Sequence, residues 1–258
     1  LAAAAEASGQ VAKLHIKLET GNQRQGLDTP EALALAHDIV AHRSLELEGL
    51  TTHFADIEDT TDHGFARGQL ERFDAAWRQL DASGVLPVMG HAANSAAAIL
   101  WPESHRGLVR VGLAAYGLWP SKETYITALE SHARGEASMV PKLLPALSWR
   151  CRVAAVKQVP SGAYIGYGRT FRTTHPSTIA VLPVGYHEGY DRRLSNLGHV
   201  LIRGRRAPVR GRVCMNMLMV DVTHIEGVSL GDEVTLLGRC DAELVSAEML
   251  ADWMGTIN

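Results

Sequence analysis

Apolar residues recur along the first part of the chain in two alternating rhythms. The aliphatic runs at 11–18, 45–54 and 85–89 read as strands, while Leu33, Ala36 and Ile39 or Val40, and then Leu70, Phe73, Trp77 and Leu80, fall at helical spacing. Asp28-Thr29-Pro30-Glu31 is a helix start with proline at an early helical position, Gly84 stops the second helix, and Asn94 or Ser95 can cap a short third one. A fourth strand is expected at 108–117, where Leu108-Val109-Arg110-Val111-Gly112-Leu113 is a buried-looking run with an arginine inside it. Strands alternating with helices mean parallel strands joined by helical crossovers.

The pattern changes after Trp149. Short strands are expected at 151–156, 178–183, 200–203, 217–222 and 233–237, separated by glycine turns, and helix returns only at 246–254. Residues 120–144 are polar and mixed, and read as a linker with some helix. The fold class is therefore α/β plus β. Four strand–helix units are too few to close an eight-stranded barrel, and an open four-stranded parallel sheet would also hold them. Polar chemistry at every strand's C-terminal end suits a barrel better, so residues 1–140 are expected to be the second half of a (β/α)8 TIM-type barrel, and residues 141–258 a mainly antiparallel β domain.

Composition narrows the function classes. The chain is 46% hydrophobic and 21% charged with net charge −3, and without a basic stripe it gives no support to nucleic-acid binding. No apolar run reaches bilayer length. Three cysteines in 258 residues are too few and too odd for a disulfide framework, which fits a cytoplasmic enzyme or binding domain.

Arg110 carries the sharpest chemical question. A buried guanidinium stays protonated and must face a partner, so it serves either a structural ion pair or a ligand. Gly112, two residues on, lets a backbone amide approach a ligand closely.

Nine segments in order, HIKLETGNQRQG, LEGLTTHFA, HAANSAAA, VRVGLAAYG, YIGYGRTF, LPVGYHEGYDRRLSN, GRVCMNMLMVDV, GDEVTLLG and the final GTIN, resemble the alanine racemases, a family with a barrel, a C-terminal β domain and pyridoxal 5′-phosphate as cofactor. The resemblance implies that His53 lies against the pyridine ring. It also implies that Asn94, Ser95 and the amides of Gly112 and Leu113 hold the phosphate, and that Arg110 faces the ring nitrogen. Read alone, His53 is as well explained by a hydrogen-bonded core histidine, and Asn94-Ser95 by a helix cap. Tyr167, between Gly166 and Gly168, matches the tyrosine that acts as base on the L-face of the substrate and reaches the site from the partner subunit of a homodimer. Arg24 and the backbone N–H of Met215 match the groups that bind the substrate carboxylate. Tyr186, with Tyr190, matches residues that narrow the approach to the site, and Lys17 matches a lysine that is carbamylated in many members. No metal is implied.

Asn216, His187-Glu188 and Asn22-Gln23 depart from the usual family pattern. The lysine that bonds the cofactor and a tyrosine that supports its phosphate have no match. The resemblance puts them before Leu1 and after Asn258, so the chain is expected to be a fragment of a longer protein and inactive by itself. Three readings follow: an alanine racemase making D-alanine for cell-wall precursors, a racemase of another or broader amino-acid range, and a catalytically silent relative that keeps the cofactor site.

Overall fold

In the computed structural model, which describes residues 1–258, the chain separates into two units, Leu1–Leu144 and Pro145–Asn258. The first unit runs α1 (Ala2–Ser8), β1 (Ala12–Lys17), α2 (Thr29–Ala41), β2 (Leu45–Thr51), α3 (Gly64–Ala82), β3 (Met89–His91), α4 (Ser95–Leu100) and α5 (Lys122–Ala133). Its three strands form one parallel sheet in the order β1-β2-β3. Local sequence sets the helix boundaries. Asp28 Oδ1 accepts from the Glu31 N–H at 2.8 Å and Glu31 Oε2 accepts from the Asp28 N–H at 3.1 Å, a reciprocal capping box that satisfies two orphan donors at the start of α2. The core lies between the sheet and its helices: Ile16, Leu47 and Leu50 from the strands meet Ala36 and Ile39 of α2 and Phe73 and Leu80 of α3.

The β1–β2 ladder contains one irregularity that matters later. Leu14 pairs with Leu47, but His15 pairs with Gly49, so Glu48 is an extra residue bulged out of β2.

The expected fourth strand is not one. Within 108–117 the only helical element is a 3-10 turn at Leu113–Tyr116, and the residues before it form no ladder. The segment runs beside β3 through two backbone bonds, Gly107 N–H to Gly90 O at 3.1 Å and Arg110 N–H to Ala93 O at 2.9 Å. A spacing of three between paired residues is out of step with the two-residue period of a ladder. Leu108, Val109 and Val111 are 39%, 38% and 42% exposed, so the run is not the buried strand its composition suggested.

The second unit is β4 (Trp149–Arg152), β5 (Ala155–Val159), β6 (Tyr164–Ile165), β7 (Phe171–Arg172), β8 (Ser177–Leu182), β9 (His199–Ile202), β10 (Arg205–Pro208), β11 (Leu218–Asp221), β12 (Glu233–Cys240), β13 (Glu243–Val245) and α6 (Ala247–Met254). It is antiparallel, as expected. One sheet is ordered β10-β9-β12-β13 with β4 also on β12, a second is β11-β8-β5, and β6-β7 is a small hairpin. The single strand expected at 151–156 is two strands in different sheets. Val153 N–H bonds to Asp232 O and the next amide, Ala154 N–H, to Val181 O, both at 2.9 Å, so the chain changes sheets between adjacent residues. Leu182, Val200, Ile202, Leu218, Val220 and Val234 fill the core of this unit, each fully buried. No helix of the chain is long and apolar enough to cross a membrane.

Replacing Leu50, 0% exposed at the centre of the parallel sheet, tests the packing against the capping. Leu50→Ala should cost about 2–5 kcal/mol through lost burial and the cavity left behind, and Asp28→Ala only about 1 kcal/mol through the lost cap. Urea unfolding of the two variants measures both; a smaller loss for Leu50→Ala than for Asp28→Ala would contradict this ranking.

Candidate active site

Arg110 is held by the ends of β2 and β3. Its NH1 group donates to Thr51 Oγ1 and His91 O, each at 3.1 Å, and to His91 Nδ1; its NH2 group donates to Thr52 O at 2.7 Å and Ala92 O at 3.2 Å. No carboxylate is among these partners, so the guanidinium is not half of a structural ion pair. Three carbonyl dipoles, a hydroxyl and an imidazole compensate it, and burial pulls its pKa down from the ordinary arginine value. Its Nε–H makes no hydrogen bond within the chain and is free to donate to a ligand.

His53 follows β2 and is partly buried. Burial lowers its pKa, and the charges of Arg110, Arg24 and Lys17 lower it further, so all three lie within electrostatic reach of His53. The backbone that carries His53 is tied from behind by Gln69 of α3, whose side chain is completely buried. Gln69 Nε2 donates to His53 O at 3.1 Å and to Thr20 Oγ1 at 3.2 Å, while its Oε1 accepts from the Ala55 N–H at 2.9 Å. Lys17 ends β1, and the loop after it carries the exposed Arg24. That loop folds around Glu19: against the cost of burial, the amides of Gln23, Gly21, Asn22 and Arg24 hold the Glu19 carboxyl below its ordinary value.

Asn94 and Ser95 begin α4 and do two jobs at once. Asn94 Oδ1 caps the helix by accepting from the Ala97 N–H at 3.0 Å, and its Nδ2 donates to Glu58 Oε2 at 2.8 Å. Ser95 Oγ accepts from the Gly112 N–H at 2.8 Å and the Ala114 N–H at 3.4 Å, although Ser95 is only 7% exposed. With its oxygen so used, the hydroxyl proton has no acceptor in the chain. It points, with the amide of Leu113 at the start of the 3-10 turn, to an anionic ligand.

Tyr167, Tyr186 and Met215 belong to the second unit. Tyr167 starts a 3-10 turn between Gly166 at φ +69° and Gly168 at φ +70°, left-handed positions that hold its ring out with 71% exposure. It borders an open, mostly apolar groove of about 480 Å³ shared with Tyr164, Ile165, Cys214, Met217 and Met219. Tyr186 and Met215 are 48% and 56% exposed, and their loops are stitched together by Tyr186 N–H to Cys214 O at 3.0 Å and His187 N–H to Met215 O at 2.8 Å. Tyr190 does not narrow any approach: it is 1% exposed, packed against Trp149, and burial drives its phenol well above the ordinary tyrosine value.

Sequence reasoning assigned nothing to His91, His15 or Glu48, yet they extend the contacts of Arg110 across all three strands of the first unit. His91 Nε2 meets His15 Nδ1 at 2.8 Å, His15 Nε2 meets Glu48 Oε2 at 2.9 Å, and Lys13 Nζ meets Glu48 Oε1 at 2.8 Å. The available signal was Gly49, an isolated glycine inside a strand pattern, which marks close approach by another group. Burial, then the charges of Arg110 and His15, pushes the His91 pKa down to about 4.

Comparison with known proteins gives the chain relatives over nearly its whole length. Residues 1–120 match the family described as "Alanine racemase, N-terminal domain" and residues 146–258 "Alanine racemase, C-terminal domain". The chain is 40% identical over 246 residues to the alanine racemase of Leptospira interrogans, covering 95% of this chain and 62% of that protein. To the alanine racemase of Symbiobacterium thermophilum it is 44% identical over 250 residues, covering 97% and 63%. Among solved structures, alanine racemase from Bacillus anthracis with bound L-Ala-P superposes with a TM-score of 0.83 at 35% identity, over 96% of this chain and 60% of that one. Alanine racemase from D-cycloserine producing Streptomyces lavendulae gives 0.86 at 33%, over 99% and 64%. The chain thus spans less than two thirds of the length of these relatives.

The His91 shift fixes a pH dependence. Above the ordinary value of 6.5 the imidazole is neutral both folded and unfolded and contributes no slope. As pH falls below 6.5 the unfolded chain binds a proton that the folded site refuses until about 4, so stability declines through that window. A fall from 6.5 to about 4 corresponds to about 3.4 kcal/mol, which solvent reaching the ring reduces to about 2. Urea unfolding at stepped pH should show a decline smaller by that amount in His91→Gln; parallel curves for the two proteins would refute the assignment.

Proposed function

Because the chain belongs to the alanine racemase family, whose cofactor is pyridoxal 5′-phosphate, we propose that it supplies most of the active site of an isomerase that interconverts L- and D-alanine in the cytoplasm. The observation that carries the reading is the Arg110 guanidinium, immobilised without a carboxylate partner and with its Nε–H unused. The residues fit the cofactor: Nε–H for a ring nitrogen, His53 for the ring face, and the Ser95 hydroxyl with the Leu113 amide for the phosphate, beside Asn94, while the Gly112 N–H, expected on the phosphate, instead donates to Ser95 Oγ. Pyridoxal 5′-phosphate, when bound, supplies electron withdrawal that makes the α-proton of an amino acid removable.

Arg110 never releases its proton, so it donates to the ring nitrogen without protonating it. A hydrogen bond there without proton transfer would favour simple proton removal and return over side reactions. Arg24 and the Met215 N–H bind the substrate carboxylate, and Tyr186 restricts access. A carbamylated Lys17 orients Arg24. Tyr167 Oη takes the α-proton on the L-face and returns it there. In this reading the enzyme is a homodimer, and Tyr167, Tyr186 and Met215 of one protomer serve the site of its partner; the exposure of all three in the second unit supports it.

The test is exchange of the α-hydrogen with deuterated solvent in the full-length protein. L- and D-alanine have equal free energy, so Tyr167→Phe must slow racemisation equally in both directions. Exchange separates the two faces. Tyr167→Phe should lower exchange into L-alanine by roughly 100-fold or more while D-alanine still exchanges with retention. Equal loss of exchange from both isomers would rule out Tyr167 as the L-face base.

A further inference from the structure

The hydrogen bonds running from Arg110 to Glu48 have only one consistent direction. A guanidinium has hydrogens to give and no lone pair, so His91 Nδ1, which faces Arg110 NH1, must be an acceptor. The His91 proton is then on Nε2, and Nε2 donates across 2.8 Å to His15 Nδ1. His15 Nδ1 is in turn an acceptor, its proton sits on Nε2, and Nε2 donates across 2.9 Å to Glu48 Oε2. Lys13 Nζ donates to the other carboxylate oxygen at 2.8 Å, so the row ends on an anion that only accepts. Both imidazoles are neutral, and every tautomer follows from its neighbour.

The backbone is shaped for this row by two separate features. The register shift between Leu14 and His15 leaves Glu48 as the bulged residue of β2, beside the strand that carries His15. Gly49 then opens the way to β3: a Cβ on it would lie 2.2 Å from His15 Nδ1 and 2.5 Å from Cε1, inside the imidazole itself. The two rings meet tilted by 59° with centroids 5.0 Å apart, which is edge contact through nitrogen rather than stacking.

We propose that Glu48 is a positioning residue: by accepting the last hydrogen of the row it holds the His15 ring with Nδ1 toward His91, so that His91 in turn keeps its place against the Arg110 guanidinium. This rests on the reading of Arg110 as the partner of the cofactor ring. An apolar group at position 48 leaves the His91 tautomer fixed by Arg110 but removes the acceptor that orients His15, whose ring is then free to turn and to take either tautomer. The His91 Nε2–H then loses its fixed partner, and the side of Arg110 that faces His91 is held less firmly. Hydrogen bonds from Lys13 and His15 keep the Glu48 carboxyl below its ordinary value, so the terminal acceptor stays ionised.

Long-range nitrogen–proton NMR on full-length cofactor-free protein labelled with 15N-histidine tests this without any turnover. In the wild type near neutral pH both His15 and His91, assigned by single substitutions, should be Nε2–H tautomers. Glu48→Gln keeps a carbonyl oxygen to accept from His15 and should retain them; Glu48→Leu should leave His15 in mixed tautomers while His91 stays Nε2–H. An Nδ1–H His91 or His15 in the wild type, or a His15 tautomer unchanged in Glu48→Leu, overturns the proposal, and the wild-type spectrum decides even if a variant fails to fold. In the loaded enzyme, kcat should fall about tenfold in Glu48→Leu at constant KM and recover in Glu48→Gln. Equal kcat in all three proteins overturns the link to Arg110. A wild type that racemises no amino acid would instead defeat the functional reading, leaving the tautomers to judge the row.

Discussion

A permanent positive charge held without a counter-charge is the constraint around which the first unit is arranged. Burying a guanidinium is costly unless its hydrogens find acceptors, and the ends of β2 and β3 provide them as three carbonyl oxygens, a threonine hydroxyl and an imidazole. Dipoles neutralise the arginine less completely than a carboxylate would, which leaves its field available to whatever sits beside it. His53 feels that field, and the neutral His91 completes the shell that makes it tolerable.

The remaining parts of the site are arranged by polar groups behind it, Gln69 fully buried and Glu19 partly so. Gln69 fastens the carbonyl of His53 from inside the helix layer, and the amides around Glu19 curl the Arg24 loop upon a single carboxylate. Such groups are expensive to bury singly and stable when every donor and acceptor is matched. The side chains of the candidate site therefore stand on a frame held by hydrogen bonds separate from their own chemistry.

Much of this could be read from residue order. Helix signals such as Asp28-Thr29-Pro30-Glu31, and the spacing of Leu70, Phe73, Trp77 and Leu80, act locally, and α2 and α3 lie where they say. The motifs around His53, Ser95 and Arg110 pointed to groups that stand at the tips of one small sheet. Two things were hidden. The apolar run before Gly112 looks like a strand because composition records affinity for burial, not the presence of a neighbour offering alternate amides and carbonyls. The row from His91 to Glu48 depends on a one-residue slip between β1 and β2, and nothing in either strand alone announces a slip. Gly49 was the one trace of it, legible as a missing side chain but silent about what fills the gap.

The change of sheet at Val153 and Ala154 has a mechanical consequence for the second unit. Adjacent residues of one extended segment are bonded to opposite layers, so pulling either layer away strains the same short length of backbone. Sandwiches joined only by loops can fray one layer at a time, whereas here the layers share a covalent seam and should open together as one cooperative block.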